Sequence, residues 1–146
     1  MLAQLDAISS QTKTGLLPDF MWVDEQGARV ADPDTIESKY DGAYSYNACR
    51  LPYNLAQSQD KTSQKLAKKM LDFFMKQRNI YAGYDLKGNA LHQYQAASFI
   101  APVSYAAENG DGYLKLVQQN KFIFMQDLST ENYYDATMTT MIALQL

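Results

Sequence analysis

The chain has 146 residues, of which 47% are hydrophobic, and it carries a formal net charge of −3. This length can bury one real core but is too short for two ordinary domains, so we expect a single domain over residues 1–146. The acidic balance argues against a nucleic-acid partner, because neutralising a phosphate backbone requires a basic excess on at least one face.

The first third of the chain predicts a helix, a hairpin and a loop. Apolar residues at helical spacing predict a helix over residues 1–10. Two short apolar runs around a polar turn predict a β-hairpin over residues 20–30. Proline and aspartates predict an irregular loop over residues 31–43, and a second helix is predicted over residues 46–59.

The remaining two thirds is mainly helical in pattern. An apolar stripe flanked by lysines predicts a core-facing helix over residues 61–77, with a calmodulin-target or membrane-surface helix as the alternative. A second hairpin is predicted over residues 80–91. Three more helices follow at 94–107, 111–126 and 130–145, the last with Ser129 as its N-cap. These elements predict an all-α class built from antiparallel helix pairs, with two small hairpins.

Targeting and membrane signals are not found in this sequence. Residues 1–15 contain no apolar run behind basic residues, so we expect no signal peptide there. No segment approaches membrane-spanning length, which predicts a soluble chain without a membrane partner. Helical sequence begins directly at Met1, which indicates missing material upstream.

Few residues are available for metal or nucleophilic chemistry. Cys49 is the single cysteine and His92 the single histidine, which excludes an internal disulfide and leaves too few ligands for zinc. A Cys49–His92 nucleophilic pair is the alternative, but no local signature supports it. The acidic residues near position 30 lack calcium-loop spacing, so we expect neither a metal nor another cofactor.

Three segments resemble the family-8 glycoside hydrolases, which include endoglucanases, chitosanases and xylanases. Residues 15–20 (GLLPDF) resemble that family's G-L-V-P-D-W segment. Residues 46–53 (YNACRLPY) resemble its Y-D-A-x-R-x-P-W signature, which is the most specific of the three matches. Residues 131–134 (ENYY) lead into a final apolar helix as they do in the family. The matches occur in family order and span nearly the whole chain.

The resemblance implies a fold, an activity and partners. The family fold is an (α/α)6 barrel, of which this chain would supply about half as the carboxyl-terminal portion of a longer enzyme. The implied activity is hydrolysis of β-1,4-glycosidic bonds in polysaccharides or oligosaccharides by an inverting mechanism. Implied partners are a carbohydrate substrate and either a missing amino-terminal half or further copies of the chain, and a longer family member would be secreted or at the cell surface. The family's general acid lies upstream of the matched region, so the chain alone is expected to be inactive. The alternative is a non-catalytic carbohydrate-binding or protein-interaction remnant.

The resemblance also implies candidate catalytic residues. The family's usual base is the aspartate of Y-D-A-x-R, but this position holds Asn47, whose amide cannot accept a proton at neutral pH. Some family members with asparagine here take their base from a glutamate in the preceding loop, which implies Glu37, with Asp41 as the second candidate. In the purely structural alternative, Asn47 is only a helix N-cap.

Sugar binding is the second role that the resemblance implies, and the 11 tyrosines suit a cleft for sugars, peptides or protein partners. Arg50 lies three residues after Asn47 and should face the same way on a helix. The alternative for the aromatic candidates is packing in the core, and the alternative for Arg50 is a solvent-exposed position on a helix surface. The candidate substrate-binding residues are Trp22, Tyr46, Asn47, Arg50, Tyr53, Tyr133 and Tyr134.

Overall fold

A computed structural model describes residues 1–127, 130 and 132–146. Within these residues lie six α-helices, one two-stranded sheet and two 3₁₀ turns. In chain order the regular elements are α1 (Leu2–Ser10), β1 (Met21–Asp24), β2 (Gly27–Val30), α2 (Leu51–Ala56), α3 (Lys61–Phe74), α4 (Ala97–Glu108), α5 (Leu114–Asn120) and α6 (Tyr133–Ala143). The 3₁₀ turns cover Ala48–Arg50, directly before α2, and Lys121–Phe124, directly after α5.

Helix α4 lies at the centre of the core and packs against α2, α3, α5 and α6. Its sequence is apolar nearly all round, and a helix of that kind is stable in water only when other elements cover it. Phe99, Ile100 and Val103 are accordingly fully buried. Helices α2, α3, α5 and α6 therefore take their positions from α4, and the site described below lies near its amino-terminal end.

Helix α3 shows why its sequence pattern was informative. Asp60 caps it by accepting hydrogen bonds from the backbone N–H groups of Thr62 and Ser63, at 2.8 and 3.1 Å. Its apolar stripe, which includes Leu66 and Met70, is buried against the rest of the chain. The helix predicted over 61–77 is thus present and ends at Phe74. Because its stripe is already covered, the calmodulin-target and membrane-surface alternatives do not apply.

Of the two predicted hairpins, the first forms a regular two-stranded sheet. Strands β1 and β2 pair antiparallel with Met21 opposite Val30. Over 80–91 the chain reverses and Tyr84 makes an antiparallel bridge to Ala90, so the second hairpin is reduced to this single bridge and forms no two-stranded ladder. Gly83 and Gly88 both adopt positive φ values, 98° and 100°, and these bends stop a regular ladder from extending.

The predicted all-α class, with antiparallel helix pairs forming about half of an (α/α)6 barrel, is corrected by this architecture. Among the described helices, α4 contacts α2, α3, α5 and α6, whereas α1 packs on α3 and on β2. Two of the predicted helices, 46–59 and 111–126, are each divided into a short α-helix and a 3₁₀ turn. Next to the helices lies the two-stranded sheet, which α1 contacts through β2.

The start of the last helix also differs from expectation. Ser129, the predicted N-cap, lies outside the described residues. Helix α6 begins after Asn132, whose side-chain oxygen accepts a hydrogen bond of 3.1 Å from the backbone N–H of Asp135. This cap places Tyr134 in the first turn of α6, where it reaches the site.

The helices are short in comparison with membrane-spanning segments. The longest, α3, has 14 residues, whereas about 20 apolar residues are needed to cross a bilayer. No helix within the described ranges is long and apolar enough to span a membrane.

Candidate functional site

A cavity of about 530 Å³ opens where the loop 31–43 meets the turn before α2, the segment before α4 and the first turn of α6. Its volume is within the range of roughly 300–1,000 Å³ typical of small-molecule sites. The cavity is lined by two carboxylates, four rings and four other polar side chains. These are Asp19 and Glu37; Tyr40, Tyr46, His92 and Tyr134; and Ser38, Ser45, Asn47 and Arg50.

The amide of Asn47 joins Glu37 and Arg50 at the cavity wall. Its Nδ2 donates a 2.7 Å hydrogen bond to Oε2 of Glu37. On its other side, Nη2 of Arg50 donates to Oδ1 of Asn47 at 3.4 Å. One amide thus orients a carboxylate and a guanidinium, both of which form charge-assisted hydrogen bonds.

The turn that carries Asn47 is capped by another residue. Asn47 occupies the N-cap position of the 3₁₀ turn but makes no side-chain cap bond there. Instead, Oδ1 of Asp19 accepts from the backbone N–H groups of Ser45, Asn47 and Ala48 at 2.9, 3.2 and 2.7 Å. Asn47 therefore holds the N-cap position without capping the turn, because its side chain bonds to Glu37 instead.

Asp19 is a site residue that the sequence interpretation missed. Burial raises the pKa of its carboxyl, the three backbone N–H groups act in the opposite direction, and the nearby Glu37 adds a further rise. The signal that could have found it is its place in the segment GLLPDF, which was matched as a motif but not assigned a role. Tyr40 and His92, which also line the cavity, had no comparable signal.

Asp41, the second candidate base, holds the loop instead of facing the cavity. It is 1% exposed, and its two oxygens accept hydrogen bonds from four successive backbone N–H groups. The donors belong to Thr35, Ile36, Glu37 and Ser38, at 2.7–3.2 Å. Burial raises the pKa of Asp41, but these four bonds outweigh it and leave the pKa below its usual value. Asp41 thereby fixes the backbone from which Glu37 projects.

Tyr46 and Tyr134 form the part of the wall nearest the core. The hydroxyl of Tyr134 donates to the backbone oxygen of Tyr46 at 3.1 Å. The Tyr46 ring meets Phe99 of α4 edge to face, with the centroids 5.0 Å apart. These contacts anchor both rings on α4 and α6, so they form a rigid side of the cavity.

Cys49 lies beneath Tyr46 and Tyr134, and its thiol is buried and protonated. Its Sγ donates to the backbone oxygen of Tyr46 at 3.2 Å and lies 3.5 Å from the Tyr134 hydroxyl. Burial raises the pKa of the thiol to about 11, so it stays protonated at neutral pH. No described ring-contact or hydrogen bond joins Cys49 to His92, and the alternative of a nucleophilic pair has no support in the geometry.

Three of the predicted sugar-binding residues lie away from the cavity. Trp22 lies on the exposed face of β1. Tyr53 is 7% exposed and packs on Tyr105 with centroids 4.8 Å apart, while its hydroxyl accepts from Gln145 at 2.7 Å. Tyr133 is 84% exposed and is not among the residues that line the cavity with Tyr134. The structure thus does not bring these three to the cavity, whereas Tyr46, Asn47, Arg50 and Tyr134 line it.

Comparison with known proteins finds β-glucanases. No model of a protein family matches the chain. A β-glucanase from Niallia circulans is 30% identical over 105 residues, which cover 66% of this chain and 26% of the glucanase. The apo structure of a β-1,3-1,4-glucanase from Paenibacillus sp. X4 is 22% identical and matches with a TM-score of 0.86, covering 99% of this chain and 41% of the glucanase chain. The chain therefore has the fold of part of that glucanase and spans well under half the length of either protein.

These findings correct the family and the activity predicted from the sequence. A family-8 enzyme that cleaves β-1,4 bonds by inversion is not what the comparisons name, since no family model matches and both similar proteins are called β-glucanases. The family-8 assignment is therefore replaced by a likeness to β-glucanases. The broader classes expected from the sequence, namely hydrolase, glycosidase and polysaccharide degradation, agree with those names.

Proposed function

We propose that the cavity binds a β-1,3-1,4-linked glucan and that this chain supplies one side of a glucanase site. The observation that carries the proposal is the Glu37–Asn47–Arg50 arrangement, in which one amide presents a carboxylate and a guanidinium to the same cavity. The linkage type is taken from the solved glucanase whose fold this chain shares.

The chemistry of the cavity suits a neutral, hydroxyl-rich ligand. Glu37 and Asp19 accept hydrogen bonds from hydroxyl groups, and Arg50 donates them. Two carboxylates against one guanidinium disfavour an anionic ligand such as a phosphate or a uronic acid. The rings of Tyr46 and Tyr134 provide apolar surface for the C–H groups of a sugar. Glucans carry no charge and combine hydroxyl groups with C–H faces, so they match both features.

Glu37 is the residue that we assign to proton transfer. Hydrolysis of a glycosidic bond adds water across it, so one group accepts the water proton and a second carboxyl protonates the leaving oxygen. Glu37 is exposed at the cavity and its Oε1 makes no hydrogen bond to a described residue, which leaves one oxygen free to accept that proton. Asn47 holds the other oxygen and thereby orients the carboxylate.

The second carboxyl is not assigned to Asp19. Three backbone N–H groups hold its Oδ1, and the resulting role is to fix the turn that carries Asn47. Asp41 is not assigned either, because both of its oxygens accept hydrogen bonds from backbone N–H groups of the loop. We therefore expect this chain alone to bind glucan without turning it over, and to be active only where a further carboxyl faces the same sugar.

Isothermal titration of the chain with a β-1,3-1,4-gluco-oligosaccharide tests the proposal. Arg50→Ala should weaken binding by about tenfold, the effect of losing roughly 1.4 kcal/mol of charge-assisted hydrogen bonding. Arg78→Ala is the matched control, because it makes the same change on an exposed residue outside the cavity. Reducing-sugar release should stay at the background level in every sample.

Three results would contradict the proposal in different ways. Absence of binding by the unmodified chain would reject the ligand class. Equal affinities for Arg50→Ala and Arg78→Ala would place the glucan elsewhere on the surface. Turnover by the chain alone would show that it already holds both carboxyls, and Asp19 would then have to be reassigned.

A further inference from the structure

We propose that Tyr40, His92 and Tyr94 form a second sugar-ring position beside the Glu37–Asn47–Arg50 arrangement. The ligand class rests on the proposed function, whereas the location and the extent of the position come from the ring geometry. We refer to these three residues as the aromatic wall.

The wall is built on a segment whose backbone is fixed. The N–H of Ala82 donates to the backbone oxygen of Tyr94 at 2.9 Å, and the N–H of Leu91 donates to that of Gly83 at 2.9 Å. These bonds tie the chain on both sides of His92 to the segment that precedes it. His92 and Tyr94 are two residues apart, and their rings lie 5.1 Å from each other with an interplanar angle of 34°.

The rings connect the loop 31–43 to the core side of the cavity. Tyr40 meets His92 edge to face with centroids 5.3 Å apart. At the other end, the hydroxyls of Tyr94 and Tyr46 are 3.3 Å apart. The wall therefore continues directly from Tyr46, which lines the cavity, and extends the aromatic surface beyond what one sugar contacts at Glu37.

The wall is exposed where the core rings are not. Tyr94 is 51% exposed and Tyr40 and His92 are half-buried, whereas Tyr44 and Tyr84 are almost completely buried. The ammonium of Lys39 lies 5.0 Å from the centroid of the Tyr40 ring. Tyr40 and His92 line the cavity, and Tyr94 continues the wall past the cavity lining. Rigid exposed rings next to a polar cavity are typical of a binding surface.

The chemistry of the wall favours a sugar. Phenol hydroxyls and the imidazole both donate and accept hydrogen bonds, and their ring faces cover C–H groups. An anionic ligand would meet the carboxylates of Asp19 and Glu37 beside the wall, so a neutral sugar is favoured. The consequence is that a longer glucan should gain affinity from the wall, whereas a ligand filling only the Glu37 position should not.

Binding of a short and a longer β-1,3-1,4-gluco-oligosaccharide, measured by isothermal titration, tests this. The unmodified chain should bind the longer ligand more tightly. Tyr94→Ala should weaken binding of the longer ligand by about three- to tenfold and leave the short one unchanged, because one ring contact is lost. Tyr94→Phe keeps the ring and should retain most of the gain. Tyr133→Ala is the control, since it removes an exposed tyrosine that lies off the cavity.

The outcomes separate the two proposals. If the unmodified chain binds neither ligand, the proposed function fails and the wall has no sugar to bind. If it binds both and Tyr94→Ala weakens neither, or weakens both equally, the aromatic wall is rejected while the proposed function stands. Unchanged urea midpoints for the variants show that any loss is local and not a loss of folding.

Discussion

Nδ2 of Asn47 donates a 2.7 Å hydrogen bond to Oε2 of Glu37, ten residues earlier in the chain. The contact pairs a neutral donor with a carboxylate, so the carboxylate needs no counter-ion at this point. Asp41 fixes the backbone beneath Glu37, and Asp19 fixes the turn beneath Asn47. Two buried or half-buried aspartates thus position the two residues that meet in the cavity.

Replacing the amide by a carboxylate should make stability depend on pH. In Asn47→Asp, two carboxylates lie within hydrogen-bond distance, and their repulsion raises the pKa of the pair. We expect a loss of about 1 kcal/mol in the free energy of unfolding at pH 7, since the pair is solvent-screened. The loss should diminish as the pH falls through the raised pKa. Urea denaturation at pH 7 and pH 4.5 measures it.

Asn47→Ala is the comparison for this effect. It removes the same hydrogen bond without adding a charge, so its cost should be similar at both pH values. Identical pH profiles for the two variants would show that Glu37 and residue 47 are not in contact.

The cap on the turn before α2 should need an acceptor more than a charge. In Asp19→Ala three backbone N–H groups lose their partner, which should lower the free energy of unfolding by about 1–3 kcal/mol. Asp19→Asn keeps one acceptor oxygen and should be close to the unmodified chain at pH 7. The raised pKa of Asp19 supports this expectation, because it means that the fold stabilises the protonated carboxyl relative to the ionised one. This stabilisation is lost as the pH rises through the folded-state pKa, so the negative charge itself adds no stability at pH 7. Thermal or urea unfolding of both variants measures the difference, and an Asn variant as unstable as the Ala variant would contradict it.

Asp41 should stabilise the fold through its ionised form, in contrast to Asp19. The pKa of Asp41 in the folded chain lies below the usual aspartate value, so its ionised form stabilises the fold above that usual value. The stabilisation is lost as the pH falls through the lowered pKa. Asp41→Asn should therefore reduce the urea midpoint at pH 7 and differ progressively less from the unmodified chain in acid.

Asp32→Asn provides the control for Asp41. It makes the same change in the same loop, on an exposed residue. A similar midpoint shift for the two variants would show that the four backbone bonds to Asp41 do not hold the loop.

The thiol of Cys49 should be unreactive in the native protein. With a pKa of about 11 and no exposed surface, roughly one thiol in a thousand is ionised at pH 8. A disulfide reagent should therefore label Cys49 only after unfolding in guanidinium. Rapid stoichiometric labelling under native conditions would show that the side chains of Tyr46 and Tyr134 do not cover the thiol.

The sequence predicted elements where the signal is local. The lysine-flanked apolar stripe of α3 and the two apolar runs of β1 and β2 each lie within a single element. The grouping of Tyr46, Asn47 and Arg50 was also local, because these residues share one turn. In the segment 80–91 the predicted reversal is present, but its pairing is limited to the bridge between buried Tyr84 and Ala90.

The parts that sequence could not predict depend on long-range contacts. Asp19 meets the turn from 26 to 29 residues away, and nothing in the local sequence shows which backbone N–H groups it will cap. Tyr40 and His92 meet only because the loop and the segment before α4 fold against each other. The family and the linkage could not be settled by short motifs either, since these motifs report local backbone and ring chemistry.

Mapping the ligand on the structure tests the central claim most directly. Backbone amide shifts of the ¹⁵N-labelled chain should be followed while a β-1,3-1,4-gluco-oligosaccharide is added. We predict that the perturbed amides cluster at Asp19, in the loop around Glu37 and in the turn from Ser45 to Arg50. Perturbations confined to the surface between α3 and α5, where Lys68 and Tyr113 line a separate cavity, or an unchanged spectrum at saturating ligand, would contradict the account.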